Sequence, residues 1–171
     1  HFATGLDGID IHNPGTALDR SGEPVPVPRI TGHIERRWSI SAEEVRQLRQ
    51  LTDNPIKFTV PGPFTMAQQA QNDYYADISD AAAAYALAVK AEMADLFDAG
   101  ADIVQLDEPY MQARPEEAER YGVAALNTAL EGATGVTCVH ICFGYAALIH
   151  DRPANGYSFL PQLKDACCNQ I

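Results

Sequence analysis

The residues with the most chemistry to offer stand together in Cys138-Val139-His140-Ile141-Cys142. On an extended strand alternate side chains share a face, so Cys138, His140 and Cys142 point one way and Val139 and Ile141 the other. With a rise of about 3.3 Å per residue, His140 and Cys142 lie about 6.6 Å apart, a spacing at which an imidazole and a thiolate can converge on one zinc ion. Cys138 and Cys142 lie about 13 Å apart, too far to share a metal through Zn–S bonds of about 2.3 Å. Cys138 is therefore read as a core residue. Taken alone, His-x-Cys also fits two buried strand residues, because cysteine is readily buried. Its position just before Phe143-Gly144, where a strand should end, favours the functional reading.

Two further groups carry chemistry. In Gln105-Leu106-Asp107-Glu108-Pro109-Tyr110, two adjacent acids follow a short apolar run. A carboxylate there can bind a substrate ammonium group, or it can cap a turn or helix. In Val60-Pro61-Gly62-Pro63-Phe64-Thr65, a strand is broken sharply, either by a rigid exit turn or by a loop that touches ligand.

The elements that must position these groups alternate in type. Ser41-Ala42-Glu43-Glu44 has the form of a capping box opening a helix, with Val45, Leu48 and Leu51 as its apolar stripe. Residues 56–60 read as a strand. Ser79 is the expected cap of a second helix, on which Tyr85, Val89, Met93, Leu96 and Phe97 follow helical spacing and Gly100 sits just past the end. Residues 103–106 read as a strand, Pro115 opens a helix with Glu116 and Glu117 in its first turn, and residues 136–141 form the next strand. A last helix covers 159–165, and a strand begins near Asn169. Residues 1–38 are rich in Gly and Pro and read as an irregular, extended excursion with a short strand at 30–34. Strands alternating with helices imply an α/β fold of parallel strands with right-handed crossovers. The chain has 171 residues, whereas a complete (β/α)8 TIM barrel needs about 250. The expectation is one domain over residues 1–171 forming a partial (β/α)8 barrel, with function gathered at the C-terminal ends of its strands.

Composition narrows the partners. The formal net charge is −11, and no run of Lys or Arg makes a basic face, which argues against nucleic acid. No apolar run approaches the length of a membrane span. Four cysteines, two of them adjacent, are too few for a disulfide scaffold and suit reduced thiols in a cytoplasmic enzyme.

Together, Pro-Gly-Pro-Phe-Thr at 61–65, Asp-Glu-Pro at 107–109 and His-x-Cys at 140–142 resemble the cobalamin-independent methionine synthase family, in family order and each at a strand end. The resemblance runs from about Phe2 onward and implies the middle of the family's catalytic barrel. It implies a zinc-dependent methyltransferase that moves a methyl group from a methylated folate to a thiol such as homocysteine. Zinc binds the acceptor as a thiolate, the nucleophilic form that a free thiol, with a pKa of about 8.5, populates poorly at neutral pH. By the resemblance, His140 and Cys142 are zinc ligands, Asp107 holds the amino group of homocysteine, and Glu108 and Thr65 border the substrate.

The sequence departs from the family in one respect. The family completes its zinc site with a Glu on the next strand and a more distant Cys, and neither follows Ile171 here. The expectation is therefore a fragment with an incomplete metal site, whose open sheet edges invite pairing with a second copy, local disorder or cover from residues 1–38. Two alternatives stand beside the methionine reading: a coenzyme M alkyltransferase of the same superfamily, for example one that opens epoxides, and a catalytically inactive fragment. Asp107 favours an amino-acid thiol, since coenzyme M has no ammonium group.

Overall fold

A computed structural model describes residues 1–143 and 156–171 of the chain. It contains two three-stranded sheets. Residues 1–38 are not irregular, which corrects the sequence expectation. After a short 3-10 turn, β1 (Leu6–Leu18) and β2 (Pro24–Arg36) form a long antiparallel hairpin. Two register shifts kink it, between Asp7 and Ile9 and between Asp10 and Gly15. Pro24, Pro26 and Pro28 are tolerated because β2 meets its other neighbour, β4 (Gln71–Asn72), only at Arg29 and Ile30. Along 24–28 the strand has one partner, and every second residue can lack an N–H without breaking that ladder.

The expected parallel unit is present. Strands β3 (Lys57–Pro61), β5 (Ile103–Asp107) and β6 (Val136–His140) run parallel in the order β3-β5-β6. Helix α1 (Ala42–Leu51) precedes β3. Helices α2 (Pro63–Gln68) and α3 (Ile78–Asp98) lie between β3 and β5, and α4 (Pro109–Ala113), α5 (Pro115–Glu117) and α6 (Val123–Leu130) lie between β5 and β6. Between α5 and α6 the residues Ala118–Gly122 form one wider π-helical turn. A 3-10 helix, Leu160–Asp165, leads to a single parallel bridge between Cys138 and Gln170, where the sequence suggests a beginning strand.

One face of the parallel sheet builds the core. Val60, Val104, Leu106 and Val139 are buried there, as are Tyr85, Val89, Met93 and Leu96 of α3 and Leu126 of α6. Ile141 is also buried, as strand alternation requires. The opposite face carries Lys57, Thr59, Gln105, Asp107 and His140, none of them buried.

The helix caps differ from the local sequence signals. Helix α1 forms, but Ser41 makes no side-chain cap: Ser39 Oγ accepts from Ala42 N, and Glu92 of α3 accepts from Ser41 N. Of its stripe only Val45 is buried, while Leu48 and Leu51 are exposed. The cap of α3 is Asp77, whose carboxylate accepts from Ser79 N, and not Ser79. At α3 the Asp77 carboxylate takes the free N–H at the helix start, whereas at α1 the Ser39 hydroxyl serves Ala42 N and the Glu92 carboxylate serves Ser41 N. Gly100 does follow α3 with a φ of 107°, as expected of the residue past a helix end. Among the described residues no helix is long and apolar enough to cross a membrane.

Candidate functional site

Register decides the layout of the site. Pro61 of β3 pairs with Asp107 of β5, which pairs with His140 of β6, so the three lie in one row across the C-terminal ends of the strands. Adjacent strands are about 4.8 Å apart, which sets Asp107 and His140 side by side on the open face. Thr59, Gln105 and Cys138 form the row beneath. Gln105 Nε2 donates to Asp107 Oδ1 at 2.7 Å and aims that carboxylate. Cys138 is buried, as the sequence spacing suggests, with Gln105 Oε1 at 3.6 Å and Lys57 Nζ at 3.7 Å from its sulfur.

Cys142 stands two residues past His140, just beyond β6, and is half-buried. A residue that sequence reasoning missed reaches it: Arg20 Nη1, at the tip of the hairpin, is 3.5 Å from Cys142 Sγ. The tip is held rigidly. Asp19 Oδ1 accepts from Ser21 N, Ser21 Oγ and Glu23 N, while Arg114 Nη2 donates to the carbonyls of Leu18 and Asp19 at 2.8 and 3.1 Å. Arg114 follows α4, the helix that starts at the Asp-Glu-Pro motif, so that motif's element also anchors the hairpin. No local signal in the sequence links Arg20 to a cysteine so far along the chain.

Thr65 and Asp107 come together at one cavity. Its volume is about 340 Å³, and its polar lining is Arg20, Thr59, Thr65, Gln69 and Asp107. A larger cavity of about 380 Å³ lies beneath the hairpin against Tyr85 and Tyr110, shares Pro61 and Gln69 with the first, and contains none of the candidate residues. Glu108 faces away from the site cavity. It is fully buried, and its oxygens accept from Phe64 N, Thr65 N and Thr65 Oγ1. Burial pushes its carboxyl up to about 7, against the hydrogen bonds from Thr65 and Phe64 and with the help of the neighbouring Asp107 charge.

The donor chemistry of His140 and Cys142 suits zinc, which takes imidazole nitrogen and thiolate sulfur. Among the described residues no cluster of three or more His, Cys, Asp or Glu side chains is arranged to hold a metal ion, so these two offer half of a closed tetrahedral set.

Comparison with known proteins identifies the family. Residues 1–141 match the family described as cobalamin-independent synthase, catalytic domain. The chain belongs to this family. Its curated relatives include the methionine synthase of Saccharolobus solfataricus, 34% identical over 149 residues that cover 84% of this chain and 42% of that protein. The methionine synthase of Sulfurisphaera tokodaii is 36% identical over 149 residues, with the same coverage of 84% and 42%. Among solved structures, the B12-independent methionine synthase of Shewanella sp. W3-18-1, in complex with selenomethionine, matches with a TM-score of 0.81 at 34% identity, covering 85% of this chain and 42% of that one. The resemblance carried by the three strand-end motifs is thus borne out, and the chain spans less than half the length of these relatives.

Proposed function

We propose that this chain is part of a (β/α)8 barrel that methylates an amino-acid thiol, with homocysteine as acceptor, a methylated folate as donor and methionine as product. The observation that carries the reading is the row Asp107–His140 at the strand ends, with Cys142 just beyond it and the Arg20–Thr65–Asp107 cavity alongside. Membership of the cobalamin-independent synthase family supports it, as do relatives named methionine synthase. The Shewanella relative was solved with selenomethionine, an amino acid whose ammonium group is what Asp107 would meet here. A reducing compartment such as the cytoplasm suits the four free cysteines.

In this reading Asp107, aimed by Gln105, holds the substrate ammonium group through a charge-assisted contact. Thr65 closes the cavity wall beside it. His140 and Cys142 are the residues that would hold zinc, and bound zinc supplies the lowered thiol pKa that makes a thiolate available at neutral pH. The substrate sulfur forms its bond to the methyl carbon as the donor's N–CH3 bond breaks, and the donor nitrogen takes up a proton. A site that holds both reactants in line contributes mainly by orientation.

A second reading, alkylation of coenzyme M, draws on Arg20, whose guanidinium suits a sulfonate. A thiol panel separates the two. Homocysteine should be the preferred acceptor, and Asp107→Asn should raise its KM by about tenfold or more while leaving coenzyme M unaffected. Preference for coenzyme M in the unaltered protein, or indifference of homocysteine to Asp107→Asn, would overturn the amino-acid reading.

A further inference from the structure

We propose that Glu108 is a positioning residue: its buried carboxylate clamps the start of α2, and through it fixes the Pro61–Thr65 segment and Asp107 in the geometry that presents Asp107 and Thr65 to the cavity. This rests on Asp107 receiving the substrate ammonium group, as proposed above.

Glu108 lines neither of the two cavities described above and is 0% exposed. Its two oxygens are occupied from within the chain, Oε1 by Phe64 N at 3.0 Å and Oε2 by Thr65 N at 2.8 Å and Thr65 Oγ1 at 2.7 Å. A carboxylate so placed is costly, and an apolar side chain of similar volume would generally serve stability as well. What the carboxylate adds is direction, since it can accept from three donors at once only if residues 63–65 keep one arrangement.

The surrounding backbone shows what that arrangement transmits. Gly62 N donates to Asp107 O at 2.8 Å, and Glu108 N donates to His140 O at 2.8 Å. The peptide unit between Asp107 and Glu108 is therefore tied to β3's exit on one side and to β6 on the other, and the Glu108 side chain closes the loop back to α2. Gly62 is what allows the approach: a Cβ there would lie 2.2 Å from both the carboxyl carbon and Oε1 of Glu108. The Pro-Gly-Pro-Phe-Thr and Asp-Glu-Pro motifs are thus two halves of one clamp, with Gly62 as the gap, Glu108 as the bolt and Thr65 as the catch.

The test compares binding of L-homocysteine with binding of 4-mercaptobutyrate, the same thiol acid without the amino group, by calorimetry on the zinc-loaded protein. Glu108→Gln should weaken L-homocysteine binding by about tenfold, in keeping with the cost of a small misplacement in a site, and leave 4-mercaptobutyrate within a factor of about two. Amide exchange at Phe64 and Thr65 should accelerate in the same variant. A role in folding alone would weaken both ligands together, and that result overturns the proposal, as does an unchanged L-homocysteine affinity. Should Glu108→Gln fail to fold, Thr65→Val keeps the shape and removes one donor; it should show the same selective loss to a smaller extent, and an unchanged ligand ratio sinks the idea. Failure of the unaltered protein to discriminate the two ligands overturns the reading of Asp107 and this inference with it, whereas discrimination that survives Glu108→Gln overturns the inference alone.

Discussion

Cys142 and Glu108 both stand past the ends of their strands, one half-buried and the other sealed in the core. Cys142 has the Arg20 guanidinium nitrogen 3.5 Å from its sulfur. Cys142→Ser replaces a good zinc donor with a poor one. Metal analysis of the purified variant should show at least about tenfold weaker zinc retention; retention equal to that of the unaltered protein would remove Cys142 from the proposed ligand pair. Glu108 is shifted upward by burial, from 4.5 to about 7. Between those two values its folded form holds a proton that the unfolded chain has released, and above about 7 it is the carboxylate; its contribution to stability is complete below pH 4.5 and is lost as pH rises through about 7. At about 1.4 kcal/mol per pH unit, that shift corresponds to about 3 kcal/mol. The surface acids act in a different window: Asp19, Asp73, Asp77 and Asp102 have lowered pKa values, held there by hydrogen bonds, and their stabilisation is lost only as pH falls below 3.8. Glu108→Gln should therefore flatten stability between pH 4.5 and 7 and leave acid unfolding in place, as read by urea titration across pH. A slope in that range equal to the unaltered protein's would count against the assignment.

At the scale of elements, Glu92 of α3 does what the apparent capping box of α1 does not. It is fully buried, pairs with Arg36 at the end of the hairpin at 2.7 Å, and accepts from Ile40 N, Ser41 N and Ser39 Oγ. Hairpin, α1 and α3 meet on this one carboxylate. Removing it leaves Arg36 with Asp95 as its remaining ion-pair partner at 2.6 Å, and two backbone N–H groups without theirs. Glu92→Ala should cost about 2–4 kcal/mol, and a loss under about 1 kcal/mol in chemical denaturation would show that the junction is held by other contacts. Gly62→Ala tests the neighbouring joint. The added Cβ meets the Glu108 carboxyl at 2.2 Å, so the variant should be destabilised by about 1–3 kcal/mol through overpacking. Shortening Glu108 to Asp in the same chain should recover part of that loss, and strict additivity of the two substitutions would deny the contact.

For the whole molecule, the two sheets share no strand pairing among the described residues: the hairpin pairs with β4, so the edge cover expected from residues 1–38 is not made by strand pairing. Among the described residues β3 pairs only with β5, while β6 gains a single bridge at Gln170. An unpaired parallel edge beside an open polar face invites a further strand. We propose that in isolation this chain self-associates through that edge, and sedimentation at rising concentration should show a mass increase that a Lys or Pro placed on β3 reduces. A monomer at all concentrations would exclude the idea.

The alternation of elements in the parallel unit and the two faces of the 138–142 strand were legible in the sequence because both follow from local periodicity: Val139 and Ile141 lie on the side of the helices, His140 on the opposite face. The three strand-end motifs were legible for the same reason, being contiguous in the chain. Partners far apart in sequence were not. That Asp107 neighbours His140 is a matter of strand register, and that Arg20 reaches Cys142 depends on a hairpin whose strands read as irregular because proline depresses every local strand signal. Caps failed likewise: Glu92 accepts from Ser41 N, the place that Glu44 would take in the local Ser41–Glu44 pattern, and nothing near residue 41 encodes its arrival from residue 92. Glu108 gives the sharpest division. The sequence determined that an acid follows Asp107 at a strand end, but only tertiary packing decided that one of two adjacent carboxylates faces the cavity and the other is sealed behind it. Successive residues leaving a strand point to opposite sides, and the side on which α2 packs is the side that loses its water.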